Sequence, residues 1–257
     1  MAADEALVRA WEQQQAELRG RREAEDRVDF AWPADGSSAA AGLERVAGVD
    51  ISYPRGSEAR DRAAVALVVL AYPSLRVVHE VCIDVAIEVP YRAGFLAFRE
   101  VAAYRQAFAE LRRTRPELMP QVVLVDGNGT LHPRMFGSAC HVGVELGIPT
   151  VGVAKNFLHI ADMPAMDARA IKAAFRAGAA ELELVGESGQ CYGAAVAPAG
   201  GGAAVNPVFV SPGHRVSLRT AVALVRGCSR HRVPEPIRIA DQRSRARARE
   251  MESLKPT

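Results

Sequence analysis

Long apolar runs are absent from this 257-residue chain. The longest, Ala63 to Tyr72, falls short of the roughly 20 residues that a membrane-spanning helix needs. The amino terminus, MAADEALVRAWEQQQ, is too charged and polar for a secretory leader. Closely spaced cysteines are also missing. Cys82, Cys140, Cys191 and Cys228 form no CxxC pair, which argues against a zinc site or a disulfide scaffold and for a reducing, intracellular setting. Nor is there a strong excess of charge. A formal net charge of +2 and a pI near 8.4 declare no nucleic-acid partner by themselves. No internal repeat is visible. A soluble intracellular protein is expected.

What is present is apolar material, 49% of the residues, enough for one large α/β domain or at most two small ones. The first segment, to about Val28, reads as a helix with Leu7, Trp11 and Leu18 on one stripe. A linker rich in Ala, Ser, Gly and Pro follows over 31–42. The expected organisation is thus an N-terminal helical extension (1–30), a linker (31–42) and a single catalytic domain (43–257). The core opens with a strand around Val46–Ile51, a turn near Tyr53–Gly56, and two strands, Arg62–Tyr72 and Arg76–Asp84, joined at Pro73-Ser74 as an antiparallel meander. After Gly94, Val101, Tyr104, Phe108 and Leu111 recur at helical spacing, and Pro116 closes the helix.

The segment Val122–Lys155 predicts a βαβ unit. Val122–Val125 is a strand buried on both faces, Arg134–Leu146 a crossover helix stopped by Gly147, and Thr150–Val153 a second strand. Such a crossover makes the strands parallel. Asp126 and Lys155 then sit at carboxyl ends of parallel strands, where open α/β sheets place ligands. A turn aspartate and a solvated lysine are the plain alternative. Further on, a helix near Ala168–Ala177, two strands flanking Gly186–Gln190, a loose glycine loop (Ala199–Ala203), a strand at Asn206–Ser211 and a helix at Ser217–Arg226 are expected. An Arg-rich run carrying Arg230, Arg232, Arg238, Arg243, Arg245, Arg247 and Arg249 closes the chain as a solvated helix or tail, or as a phosphate-contacting one. The whole describes a mixed sheet covered by helices.

Other candidates converge on the same chemistry. Asp50 interrupts an apolar strand on the face of Val46 and Gly48, a costly place for a lone carboxylate. A divalent cation shared with Asp126 would compensate it, as would a turn cap or an arginine. Glu100 falls at the rim of its helix's buried stripe, where a solvated glutamate is also possible. His214 lies in VSPGHR before a helix start, a place that favours an anion. Asp241 is either a helix N-cap or a further carboxylate. Carboxylates with a lysine and a histidine around strand ends suit Mg²⁺-assisted phosphoryl chemistry.

These residues lie in segments that resemble the endonuclease V family. The segments are GVDIS around Asp50, PYRAGFLAFRE from Pro90 to Glu100, VDGNGTLHPR from Val125 to Arg134, PTVGVAK from Pro149 to Lys155, VSPGHR from Val210 to Arg215, and PEPIRIAD from Pro234 to Asp241. They follow the family order over about Leu43–Ser244. The resemblance implies an α/β, ribonuclease H-like mixed β-sheet flanked by helices. It implies that Asp50 and Asp126 are the central metal ligands, for Mg²⁺ with Mn²⁺ as a substitute, and that Glu100 and Asp241 are the other carboxylates. It makes Lys155 the lysine near the scissile phosphate and His214 an active-site histidine placing water or phosphate. It makes Tyr91 the aromatic wedge, and places Gly94, Gly127, Gly129, His132, Ser138 and Leu158 around a hypoxanthine pocket. Cleavage is then expected one nucleotide 3′ of inosine, leaving a 3′-hydroxyl and a 5′-phosphate. Pro90-Tyr91-Arg92-Ala93 lacks the second proline of the bacterial PYIP wedge. LMPQVVLVDGNG and FGSACH look like eukaryotic members. The expectation is therefore an endoribonuclease acting on inosine-containing single-stranded RNA, with deoxyinosine-directed DNA repair as the first alternative and a non-catalytic binder of inosine-containing RNA as the second. A monomer in the cytoplasm, with presence in the nucleolus or nucleus, completes it.

Overall fold

The computed structural model describes residues 2–32, 40–55, 61–197 and 206–253. The expected glycine loop, most of the linker and Gly56 of the first turn lie outside them. Among the described residues no helix is long and apolar enough to cross a membrane.

Eight strands form one mixed sheet: β1 (Arg45–Ser52), β2 (Arg62–Ala71), β3 (Arg76–Ala86), β4 (Val122–Asp126), β5 (Thr150–Ala154), β6 (Glu181–Val185), β7 (Cys191–Val196) and β8 (Val208–Pro212). Their order is β3-β2-β1-β4-β5-β8-β7-β6. The neighbours β1, β4 and β5 pair in parallel; β8 meets β5 antiparallel, and β7 and β6 continue that way. The parallel trio is therefore central, and its strands are apolar almost throughout because helices cover both faces.

On one face Val46, Leu124 and Val153 pack with Val222 and Leu224 of α5 (Leu218–Gly227) and Ile237 and Ala240 of α6 (Glu235–Ser253). On the other, Ala47, Val49, Val123 and Val125 meet Val101, Tyr104 and Phe108 of α2 (Leu96–Thr114) and Ala139 and Val142 of α3 (Ser138–Leu146). A smaller core sits under α4 (Ala168–Arg176), built on Ile171, Phe175 and Leu184. Alternation along β1 thus turns Val46, Gly48 and Asp50 toward α6. Gly48 is where α6 begins its crossing: a Cβ there would lie 2.1 Å from the Pro236 carbonyl oxygen. Any side chain would push away the helix that carries Asp241.

Three expected elements differ in extent. The crossover helix starts at Ser138, not Arg134. Met135 has φ 55°, and Gly137 donates its N–H to the Gly129 carbonyl at 2.9 Å, so 134–137 folds back as a loop. The first helix, α1 (Ala2–Gly20), stops well before Val28. Beyond it the chain runs as a strap along the loop before α5: Arg215 N–H donates to the Glu23 carbonyl and Arg27 N–H to the Arg215 carbonyl. The Arg-rich run is a packed helix rather than a tail. Ile237, Ala240, Ser244, Ala248 and Met251 are buried, while Arg243 and Arg247 pair with Glu80 and Asp84 of β3.

Candidate active site

Asp50 from β1, Asp126 from the end of β4 and Asp241 from α6 bring one carboxylate oxygen each to within 4.8 Å of one another. Each arrives for a local reason. Strand alternation sends Asp50 and Asp126 to the α6 face, and the close approach at Gly48 brings α6 over them. Asp241 lies in the second turn of its helix, so it is not an N-cap. Lys155, just past β5, donates to Asp126 Oδ2 at 2.5 Å and Asp241 Oδ1 at 3.0 Å. Lys155 is one of only three lysines in an arginine-rich chain, with Lys172 and Lys255. Its compact ammonium is a point charge shared between two carboxylates, and Arg245 pairs with the same Asp241 Oδ1 at 2.9 Å.

The electrostatics are those of a site built for a cation. Burial, countered in part by a short hydrogen bond from Ser244 and augmented by the charges of Asp126 and Asp241, pushes Asp50 up to about 7. Although its own burial opposes the charge, the bonds to Asp126 and Asp241 hold the Lys155 pKa above its ordinary value. Glu100 is fully enclosed on α2, neither at a rim nor in solvent. Its two oxygens accept from Tyr53 and Tyr104 hydroxyls at 3.5 Å each. Burial, then the neighbouring Asp50 charge, raise it to about 8. It stands behind the aspartate trio rather than inside it. Three oxygen donors with this mutual repulsion fit a hard divalent cation.

His214 is not part of this cluster. Thr150 N–H donates to its carbonyl at 2.9 Å, which places it at the start of β5, whereas Lys155 follows the end. At about 3.3 Å per residue the two are roughly 15 Å apart. Its ring is buried and its Nδ1 accepts the Glu23 N–H at 3.2 Å. Burial, then Arg215, lower it to about 4. The anion expected at the start of α5 is the protein's own Asp26, which accepts from the backbone and hydroxyl of Ser217 and from the Thr220 hydroxyl.

Beside the carboxylates opens a cleft of about 420 Å³. Of the expected pocket residues, Tyr91, Gly94, Gly127, His132, Ser138 and Leu158 line it. Tyr91 is 63% exposed at the mouth. Gly129 is the exception. It is packed behind the wall, donating to Ser211 Oγ at 2.8 Å, and a Cβ there would sit 2.1 Å from the Pro212 carbonyl oxygen. The polar and aromatic residues that complete the lining, Gln15, Asn128, Arg134 and Phe136, were not among the expected pocket residues. Asn128 carries a buried Oδ1 with no hydrogen-bond partner among the described residues. Gln15 had one readable signal, a polar residue on the apolar stripe of Leu7, Trp11 and Leu18.

Two carboxylates on central parallel strands and a third from α6, with a lysine between Asp126 and Asp241 and a cleft of base size beside them, are what a hydrolase of the phosphodiester-cutting type needs. The endonuclease V family model matches residues 33–242. Endonuclease V of Mus musculus is 44% identical over 242 residues, 94% of this chain and 69% of that protein. That of Homo sapiens is 42% identical over 247 residues, 95% and 84% of the two chains. The crystal structure of the human Endonuclease V catalytic domain superposes with a TM-score of 0.85 at 39% identity, covering 98% of this chain and 99% of that one. Ciona intestinalis Endonuclease V, solved with a 24mer DNA containing an inosine followed by a ribo-adenosine, gives 0.83 at 33% identity over 96% and 100%. The chain belongs to the endonuclease V family and is a nuclease.

Proposed function

We propose that this protein is a Mg²⁺-dependent endoribonuclease that cuts single-stranded, inosine-containing RNA one nucleotide to the 3′ side of inosine. The observation that carries this is the placing of the Asp50–Asp126–Asp241 trio beside a cleft with an exposed tyrosine at its mouth. Flipping a base out of its stack costs a few kcal/mol and costs least in single strands. Tyr91 offers the flipped base's neighbour a stacking surface, and the backbone around Gly127 lets polar groups come close to a base edge. Asp50, Asp126 and Asp241 would hold Mg²⁺, or Mn²⁺ in its place, which supplies charge neutralisation and an activated water when bound. Lys155, kept charged by its aspartates, is then positioned to meet a phosphate oxygen. Glu100, raised to about 8 by burial and the Asp50 charge, adds a fourth carboxyl group behind Asp50. His214 has no part in the chemistry.

The choice of RNA is supported by the Ciona protein, whose bound strand carries a ribonucleotide directly after inosine. A 2′-hydroxyl is what distinguishes RNA from DNA at such a place. The same strand is otherwise DNA, which favours deoxyinosine-containing DNA as the second reading. One labelled strand with a central inosine, made as RNA, as DNA, and as DNA with a single ribonucleotide after inosine, separates them. Mg²⁺-dependent cutting of the first and third, with the second much slower, is expected. Equal or faster cutting of all-DNA establishes the repair reading, and no cutting of any strand leaves an inosine binder.

A further inference from the structure

The amino-terminal helix α1 lies outside the region that the family model matches, yet it contributes Gln15 to the wall of the base-sized cleft. Trp11 stacks on Phe98, centroids 5.3 Å apart at 17°, and lies 5.7 Å from Phe95. Leu18 packs with Phe136, Cys140 and Val144. Between these anchors Gln15 is 4% exposed. Its Nε2 donates to the Phe136 carbonyl at 2.8 Å, and its Oε1 accepts a short bond from Arg134 Nε. Arg134 in turn donates from Nη2 to the Gly94 carbonyl at 2.7 Å and lays its guanidinium over Phe95 at 4.3 Å. Gly94, at φ 80°, ends the loop that carries Tyr91. A continuous polar chain therefore runs from α1 through Arg134 to the tyrosine loop, with every link on the cleft wall.

We propose that Gln15 is a positioning residue for base selection. It orients the Arg134 fork and so fixes the width of the cleft between the Tyr91–Gly94 loop and the Phe136 segment. This rests on the cleft being the base site. Hypoxanthine and guanine differ by one exocyclic amine, so rejecting guanine by shape requires walls held to a fraction of an ångström. A buried side-chain amide that satisfies both an arginine and a carbonyl supplies that rigidity; a loop free to move would admit both bases.

The test uses full-length protein and matched RNA strands with a single inosine or guanosine at one position. Gln15→Met keeps the volume and apolar packing of the site but removes both hydrogen bonds. It should lower the inosine-to-guanosine ratio of kcat/KM about tenfold, the worth of one buried hydrogen bond. Most of the loss on inosine should appear in KM, and the melting temperature should stay well above the assay temperature. Arg134→Lys, which keeps the charge and loses the fork, should lower the ratio similarly, and the double variant should be little worse than either single one. An unchanged ratio in both single variants, with parent protein still preferring inosine, overturns the role of Gln15 and leaves the proposed function standing. A parent protein with no preference for inosine over guanosine overturns the base-site reading itself.

Discussion

Replacing Asp50 by asparagine should stabilise the metal-free protein at alkaline pH while abolishing cleavage. The side chain is 7% exposed, and its pKa rises from 3.8 to about 7 on folding, through burial first and then the charges of Asp126 and Asp241. An acid whose pKa is raised by folding penalises the folded state once it ionises. The penalty is absent below about pH 3.8, grows through the interval, and is complete above about pH 7. At about 1.36 kcal/mol per pH unit, its upper bound is about 4 kcal/mol. Asparagine keeps an acceptor for Ser244 without the charge. For a domain of this size 1 kcal/mol moves the melting temperature by about 2–4 °C, so Asp50→Asn should melt several degrees higher than the parent at pH 8 and at nearly the same temperature at pH 4. Mg²⁺ should narrow this difference. The parent gains about 2.7 kcal/mol at a hundredfold excess over Kd, and the variant, short of one ligand, gains less. Thermal melts at three pH values, with and without Mg²⁺, decide the matter. An Asp50→Asn protein that melts lower than the parent at pH 8 without metal would refute the reasoning, because Asp50 would then be a satisfied structural residue.

Lys155→Met should leave the fold intact and reduce cleavage at least a hundredfold, with affinity for an uncut inosine strand changed far less; single-turnover rates and a binding titration separate the two. Tyr91→Ala, at an exposed position, should weaken inosine-strand binding by about 1–3 kcal/mol, the worth of one stacked base, with no change in melting temperature. Gly48→Ala should destabilise the protein by about 1–3 kcal/mol through overpacking, since its Cβ would meet the Pro236 carbonyl at 2.1 Å, and chemical denaturation reads that directly. His214→Ala should lower stability by loosening the strap at Glu23 while cleavage measured below the melting temperature persists; loss of cleavage in a folded His214→Ala protein would return the histidine to the chemistry.

The sequence by itself determined the elements whose signals are local. Short β-branched runs ending in Asp126 and at Lys155 marked the two parallel strands, and the period of Val101, Tyr104, Phe108 and Leu111 marked the helix whose next residue inward is Glu100. Alternation was enough to turn Asp50 to one face of its strand. These hold because side-chain periodicity and turn residues act over a few positions. What lay beyond reach depends on groups far apart in the chain. Whether Asp241 capped a helix or joined the aspartates was decided by α6 crossing β1 at Gly48, a contact between residues nearly two hundred positions apart. Gly129 sat in a motif beside true lining residues and His214 in a motif of its own, but the antiparallel return of β8 carried the histidine to the far end of β5 and pressed the glycine behind the wall. Gln15 entered the cleft because α1 folds back over α3, bonding to Phe136 and Arg134, which no local pattern announces. Tertiary packing settled which polar groups share a space, since loss of solvent and mutual charge arise only when distant segments meet.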